Sequence, residues 1–163
     1  MNRVTMSAEE VPLPEWEKML KNYTLKVLAE LGRDRWDISI LICGDKTITR
    51  LNNQYRGKNE ATDILSFVMD EGELFPAAGK GGSGRCLPGD IVISLDTLRE
   101  NARRFKTSED EELRRLLIHG ILHLDGMDHA SNKKTEPMLL LQEELLKRLS
   151  GESIVRSEKR GYV

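Results

Sequence analysis

All three histidines of this 163-residue chain fall within one short stretch, "HGILHLDGMDH", from His119 to His129. His119 and His123 stand four apart, so on a helix their side chains leave one face with Cβ atoms about 5–6 Å apart. Two imidazoles so placed can share a cation, because zinc sits about 2.0–2.1 Å from each ligating nitrogen and this spacing reaches that distance without distorting a helix. Gly126 follows three residues later, and glycine readily takes the left-handed conformation that ends a helix and turns the chain back. Such a reversal would carry His129 to the same ion. Three neutral nitrogens leave a tetrahedral position for water, as in a catalytic zinc site; a structural zinc would need a fourth protein ligand, for which Asp125 and Asp128 are the nearby candidates. Asp128 has two other readings, orienting a water or an imidazole N–H, or capping the turn. The set suits one zinc ion (Zn2+) per chain, although nickel or copper could occupy the same nitrogens.

The spacing matches the metzincin pattern H-E-x-x-H-x-x-G-x-x-H with one departure, Gly120 in the place of the glutamate. In those peptidases the glutamate is the general base, and glycine has no group that moves a proton. A peptidase is therefore the second enzymatic reading, behind some other metal-assisted chemistry.

The elements that must carry this cluster are legible in outline. Pro14 suits a first helical turn, and Trp16, Leu20, Tyr23, Val27, Leu28 and Leu31 recur at helical spacing up to Gly32. In "WDISILI", Trp36, Ile38, Ile40 and Ile42 alternate as in a strand with one buried face. Asp45 can cap a helix that places Ile48, Leu51 and Tyr55 on one side and ends at Gly57. "DILSFVM" reads as the next strand, which suggests a βαβ unit with its two strands parallel. Residues 70–87, rich in glycine, predict a flexible surface loop, and "GDIVISL" returns to the sheet by a long hairpin or a further crossover. Leu95, Leu98, Ala102 and Phe105 mark a helix; Ser108 with Glu111 forms a capping box opening the next, which runs into the histidines. A last helix, with Thr135 as cap and Pro137 in its first turn, extends to Gly151, and residues 152–163 predict a frayed tail. The expectation is an α/β (α+β) single domain over residues 1–163, with a small mixed sheet packed by helices and the metal site on a helix of the C-terminal half.

Composition narrows the function classes. With 25 basic and 27 acidic side chains, net charge is about −2, so an anionic partner must be met locally. The N-terminal residues lack the apolar run of a signal peptide, and no stretch approaches the roughly 20 apolar residues of a membrane span, which predicts a cytoplasmic protein with no membrane contact. Cys43 and Cys86 form neither a disulfide framework nor a thiol metal pattern. Arg56, at a helix end before Gly57, has two readings: a guanidinium that clamps a phosphate by paired hydrogen bonds, or a solvated arginine favoured by the helix dipole. Thr62, Asp63 and Ser66 read as turn and strand residues of either kind, and the basic run Arg99, Arg103, Arg104 and Lys106, followed by four acids, as a solvated helix face.

Three segments together resemble the YbeY endoribonuclease, or rRNA maturation factor, family. "HGILHLDGMDH" matches its H-G-x-L-H-L-x-G-x-D-H signature, "LNNQYRGKNEATDILSF" (51–67) its N-x-x-Y-R-x-K-x-x-T-D-V-L-S-F block, and "PGDIVIS" (88–94) its L-G-D-I-x-I-S strand, bracketing about half the chain. The chain departs in its glycine-rich insertion at 77–84, in Pro88 where leucine is expected, and in its extended tail. The resemblance implies a zincin-related fold, zinc on His119, His123 and His129, and a functional arginine at Arg56. It also implies metal-dependent cleavage of single-stranded RNA, acting on 16S rRNA in 3′-end maturation and ribosome quality control. Against that stand a non-catalytic RNA-binding ribosome assembly factor with a structural zinc, and the peptidase lacking its glutamate.

Overall fold

The computed structural model describes residues 1–69 and 84–156. Four strands form one sheet in the order β1-β2-β4-β3, from β1 (Arg3–Ala8), β2 (Trp36–Cys43), β3 (Ile64–Val68) and β4 (Cys86–Ser94). Five helices complete the described chain: α1 (Glu17–Glu30), α2 (Asp45–Arg56), α3 (Leu95–Arg104), α4 (Glu109–Leu124) and α5 (Pro137–Arg148). Strand periodicity sorts the core into two layers. Ile38, Ile40, Ile42, Ile91 and Ile93 face one way and pack with α1, α3, α4 and α5. Val92 and Leu65 face the other way and meet Ile48 of α2. The α/β expectation is met, with a mixed sheet.

The strand pairing differs from the expected unit. β2 does pair in parallel, but with β1 and β4; among the described residues β3 pairs only with β4, antiparallel, so the strands flanking α2 are neither adjacent nor parallel. β4 is apolar on both faces at Ile91, Val92 and Ile93, which suits an interior position, whereas the five-residue β3 is only partly covered and takes the edge. The hairpin reading of the 89–95 segment is the one realised. β1 was not legible because only Met6 of its six residues is buried.

Other boundaries also move. Gly44 holds the N-cap position of α2, and that end is satisfied from elsewhere: Glu10 Oε1 accepts from Thr47 N at 2.7 Å and Asp96 Oδ2 from Asp45 N at 2.9 Å. Asp45 instead accepts the hydroxyls of Ser94 and Thr97 at 2.7 and 2.6 Å. Glu136, not Thr135, precedes Pro137 at the start of α5. Ser108 caps α4 as expected, accepting from Glu111 N at 3.0 Å. Of the loop expected over 70–87, residues 70–83 lie outside the described residues, and 86–87 already belong to β4. The tail is not frayed where it is described: Ile154 is wholly buried, and Ile154 N and Val155 N both donate to Asp110 Oδ1, at 2.6 and 2.7 Å. Residues 157–163 lie outside the described residues.

The register between β2 and β4 jumps from Trp36↔Cys86 to Ile38↔Gly89, a bulge on β4 at Leu87 and Pro88. Proline lacks the N–H a regular ladder needs, so a bulge is where this departure from the family's leucine is tolerated. Gly89 beyond it has φ +147°, and a Cβ there would run into the backbone carbonyl of Phe67 and stand 2.8 Å from Leu124 Cδ2. A backbone carbonyl held in a ladder cannot step aside. Gly89→Ala is expected to lower stability by about 3 kcal/mol, read as a fall in the guanidinium midpoint at unchanged slope; an unaltered midpoint would show that the strand relaxes freely.

Candidate metal centre

Helix α4 presents His119 and His123 one turn apart, with ring centroids separated by 4.7 Å. Its C-terminus then closes with paired bonds, Gly126 N to His123 O and Met127 N to Leu122 O, both 3.0 Å, around Gly126 at φ +90°. This is the Schellman arrangement, in which a left-handed residue lets the last carbonyls find donors while the chain reverses. The reversal returns His129 to within 5.3 Å of His119 and 5.6 Å of His123, centroid to centroid. One nitrogen from each of the three lies within 4.8 Å of the others, so the group could hold a metal ion.

The far nitrogen of each ring is held by an oxygen. His119 Nδ1 meets Gln142 Oε1 at 2.6 Å, His123 Nδ1 meets the Met127 carbonyl at 3.1 Å, and His129 Nδ1 meets the Ser131 carbonyl at 2.9 Å. These oxygens only accept, so each Nδ1 carries the proton and each Nε2 presents a bare lone pair. Gln142 is oriented in turn, its Nε2 donating to Glu143 Oε2 at 3.3 Å. The Nε2 atoms of His119 and His123 are 3.1 Å apart. With both Nδ1 atoms protonated, no hydrogen lies between them, and two lone pairs facing each other repel unless a cation intervenes. Tetrahedral ligands at zinc–nitrogen distances stand about 3.3 Å apart, close to the separation seen. Burial lowers the pKa of His119 and of His123, the first cause in both, which keeps the rings neutral. The residues fit a divalent ion with nitrogen preference.

The neighbouring carboxylates are engaged elsewhere. Asp125 pairs with Arg33 at 2.7 Å, and Asp128 Oδ1 accepts from the backbone of His129 at 2.8 Å, its turn-capping reading. Among the described residues the convergent set contains no fourth histidine, cysteine or carboxylate. An ion held by these three nitrogens alone would keep a tetrahedral position for water.

His119 and His123 line a cleft of about 640 Å³ between α4 and β3. Ile64, Ser66 and Val68 of β3 line it, together with Thr62 and Asp63, so residues with ordinary turn or strand readings stand on its wall. Asp63 accepts from Asn101 Nδ2 at 3.2 Å and from the Thr62 hydroxyl at 3.3 Å. Arg56 is at the rim, donating through Nη2 to the Ser66 carbonyl at 2.9 Å. At Gly120 a Cβ would meet Ile64 Cδ1 at 2.9 Å, Ile91 Cδ1 at 3.2 Å and Ser66 Oγ at 3.3 Å. The helix lies so close to the sheet that a side chain there would press on the ends of Ile64, Ile91 and Ser66, which would have to shift to admit it. The oxygen partners of the histidines were missed in the sequence; only Gln142 left a signal, a lone polar residue at 8% exposure in an otherwise apolar helix stripe. The basic run on α3 is exposed, with Arg99 3.8 Å from Glu109. Cys43 is an inert core thiol, pushed up to about 12 by burial.

Comparison with known proteins places the chain among relatives. A family model described as endoribonuclease YbeY matches residues 3–150. An endoribonuclease YbeY of Treponema denticola is 43% identical over 156 residues, covering 95% of this chain and 98% of that protein. One of Treponema pallidum is 44% identical over 146 residues, covering 90% and 89%. A solution structure of a Thermotoga maritima protein superposes with a TM-score of 0.61 at 26% identity, covering 93% of this chain and 90% of that one. In sequence, fold and the convergence of its three histidines, this chain belongs to the YbeY endoribonuclease family.

Proposed function

We propose that this protein is a zinc-dependent, single-strand-specific endoribonuclease that holds one ion on His119, His123 and His129 and acts in the cytoplasm on 16S rRNA, in 3′-end maturation and ribosome quality control. The observation that carries the catalytic part is the convergence of three bare Nε2 atoms beside an open cleft rimmed by Arg56. Support for the ribosomal substrate is the family resemblance. A divalent ion there supplies Lewis acidity towards a phosphoryl oxygen and lowers the pKa of a bound water to around 7.

The protein's own groups do the rest. One nitrogen of Arg56 is tied to Ser66 O. The remaining N–H donors of that planar fork are left to meet a phosphate, which steadies the substrate and offsets charge as it develops. With a net charge near −2, this local cation matters more than any global field. Three acceptor oxygens hold the imidazoles in the ligating tautomer, so no proton must be shed for the site to form. The peptidase reading is disfavoured by Gly120, which has no group to move a proton where those enzymes carry a glutamate, and the structural-zinc reading by the want of a fourth ligand among the described residues.

The deciding assay incubates metal-quantified protein with single-stranded RNA, duplex RNA and casein. Cleavage of single strands alone, abolished by chelator and restored by zinc, is expected; full zinc occupancy with no cut RNA would return the chain to the binding-factor reading. Arg56→Ala should retain metal and thermal stability while cleavage falls roughly 100-fold or more, and unchanged turnover would make Arg56 a solvated helix residue. Gln142→Leu should weaken zinc affinity roughly 10- to 100-fold in a chelator competition, because His119 loses the partner that orients it. Wild-type affinity in that variant would show that α4 alone aligns the ring.

A further inference from the structure

Helix α2 carries its apolar residues on one stripe, and Ile48 on that stripe is wholly buried. Tyr55, seven residues on, belongs to the same stripe, yet it is 62% exposed. The cause is the strand order. β3 is the edge of the described sheet, and the ring contact Tyr55 makes among the described residues is with Phe67, 5.2 Å away between ring centroids and at 64°. The ring is braced along one edge and otherwise open.

Its neighbourhood is that of the cleft. Ser94 N bonds to Asp63 O and Met69 N to Pro88 O, so by antiparallel alternation the backbone groups of Ile64, Ser66 and Val68 point to the free edge of β3. Arg56 straddles that edge: it bonds Ser66 O, lines the cleft with the histidines, and stands 6.0 Å from the Phe67 ring on the opposite face. A strand whose phosphate lies at Arg56 and whose next segment crosses the edge therefore arrives at Tyr55. Single-stranded nucleic acids are held by this pairing of a backbone cation with an open aromatic face, because every base has a π-surface to stack.

We propose that Tyr55 is a base-stacking platform for a nucleotide flanking the cut, on the far side of the β3 edge from the three histidines. This rests on the ribonuclease reading and adds to it a positioning residue that touches no reacting atom. The test uses single-stranded RNA with one cleavage position and an abasic site introduced in turn at each flanking nucleotide, with wild type, Tyr55→Ala and Tyr55→Phe. Tyr55→Ala should raise KM roughly 10-fold with kcat, zinc content and melting temperature unchanged, and Tyr55→Phe should restore KM. An abasic site at one flanking position should raise the wild-type KM by a similar factor and add nothing in Tyr55→Ala. If wild type cleaves RNA but Tyr55→Ala keeps its KM, if phenylalanine does not restore it, or if the abasic penalty persists in Tyr55→Ala, the platform is overturned and the ribonuclease stands. If wild type cleaves no RNA, the underlying reading falls, and the platform with it.

Discussion

The depth at which α4 lies against the sheet governs the site. His119 and His123 face β3 across a cleft at a depth where Gly120, between them, presents a hydrogen to the side chains of Ile64, Ile91 and Ser66. Any larger residue there must push the helix outward or force those side chains from their places, in a core packed to crystal-like density. The same close approach brings two imidazoles to the cleft and puts glycine where metzincins carry the carboxylate they use as a base.

From that contact the remaining geometry follows outward. The helix can end sharply at Gly126, which returns His129 over the last turn. α5 packs along α4 and brings Gln142 to His119, which converts an apolar helix–helix contact into a means of fixing a tautomer. On the other side β3 pairs, among the described residues, with β4 alone, and Arg56 reaches over its outer edge to Ser66 O. The site is open because the sheet stops there.

Electrostatics are handled locally throughout. A nearly neutral chain with acids and bases interspersed has no field to draw in an anion at long range, so recognition depends on where individual cations are tethered. Arg33 is spent on Asp125, which fastens the C-terminal end of α4 and withdraws that carboxylate from the histidines. Arg85 is likewise paired with Asp37, a partly buried contact beside the first residue of β4. Arg56, hydrogen-bonded to a backbone carbonyl and set beside the Phe67 ring, is paired with no acid among the described residues.

What the sequence by itself determined is whatever depends on neighbours within about ten residues. The shared face of His119 and His123, the reversal at Gly126, the Ser108 cap and the burial of Ile48 follow from helix geometry, which any chain with those residues at those spacings obeys. The family resemblance was legible for the same reason, since its motifs are contiguous. What only the tertiary structure decided is how segments distant in sequence meet. β3 lies beside β4 and not beside β2, because a strand apolar on both faces must take the interior. Gln142 reaches His119 from 23 residues away. Glu10 and Asp96 cap a helix in whose sequence they do not appear. Tyr55 is the clearest case: periodicity assigns it to the buried stripe of α2, and only the end of the sheet beneath it leaves it facing water. Periodicity states which way a side chain points along its own helix, and the packing partner on that side is supplied by the rest of the fold.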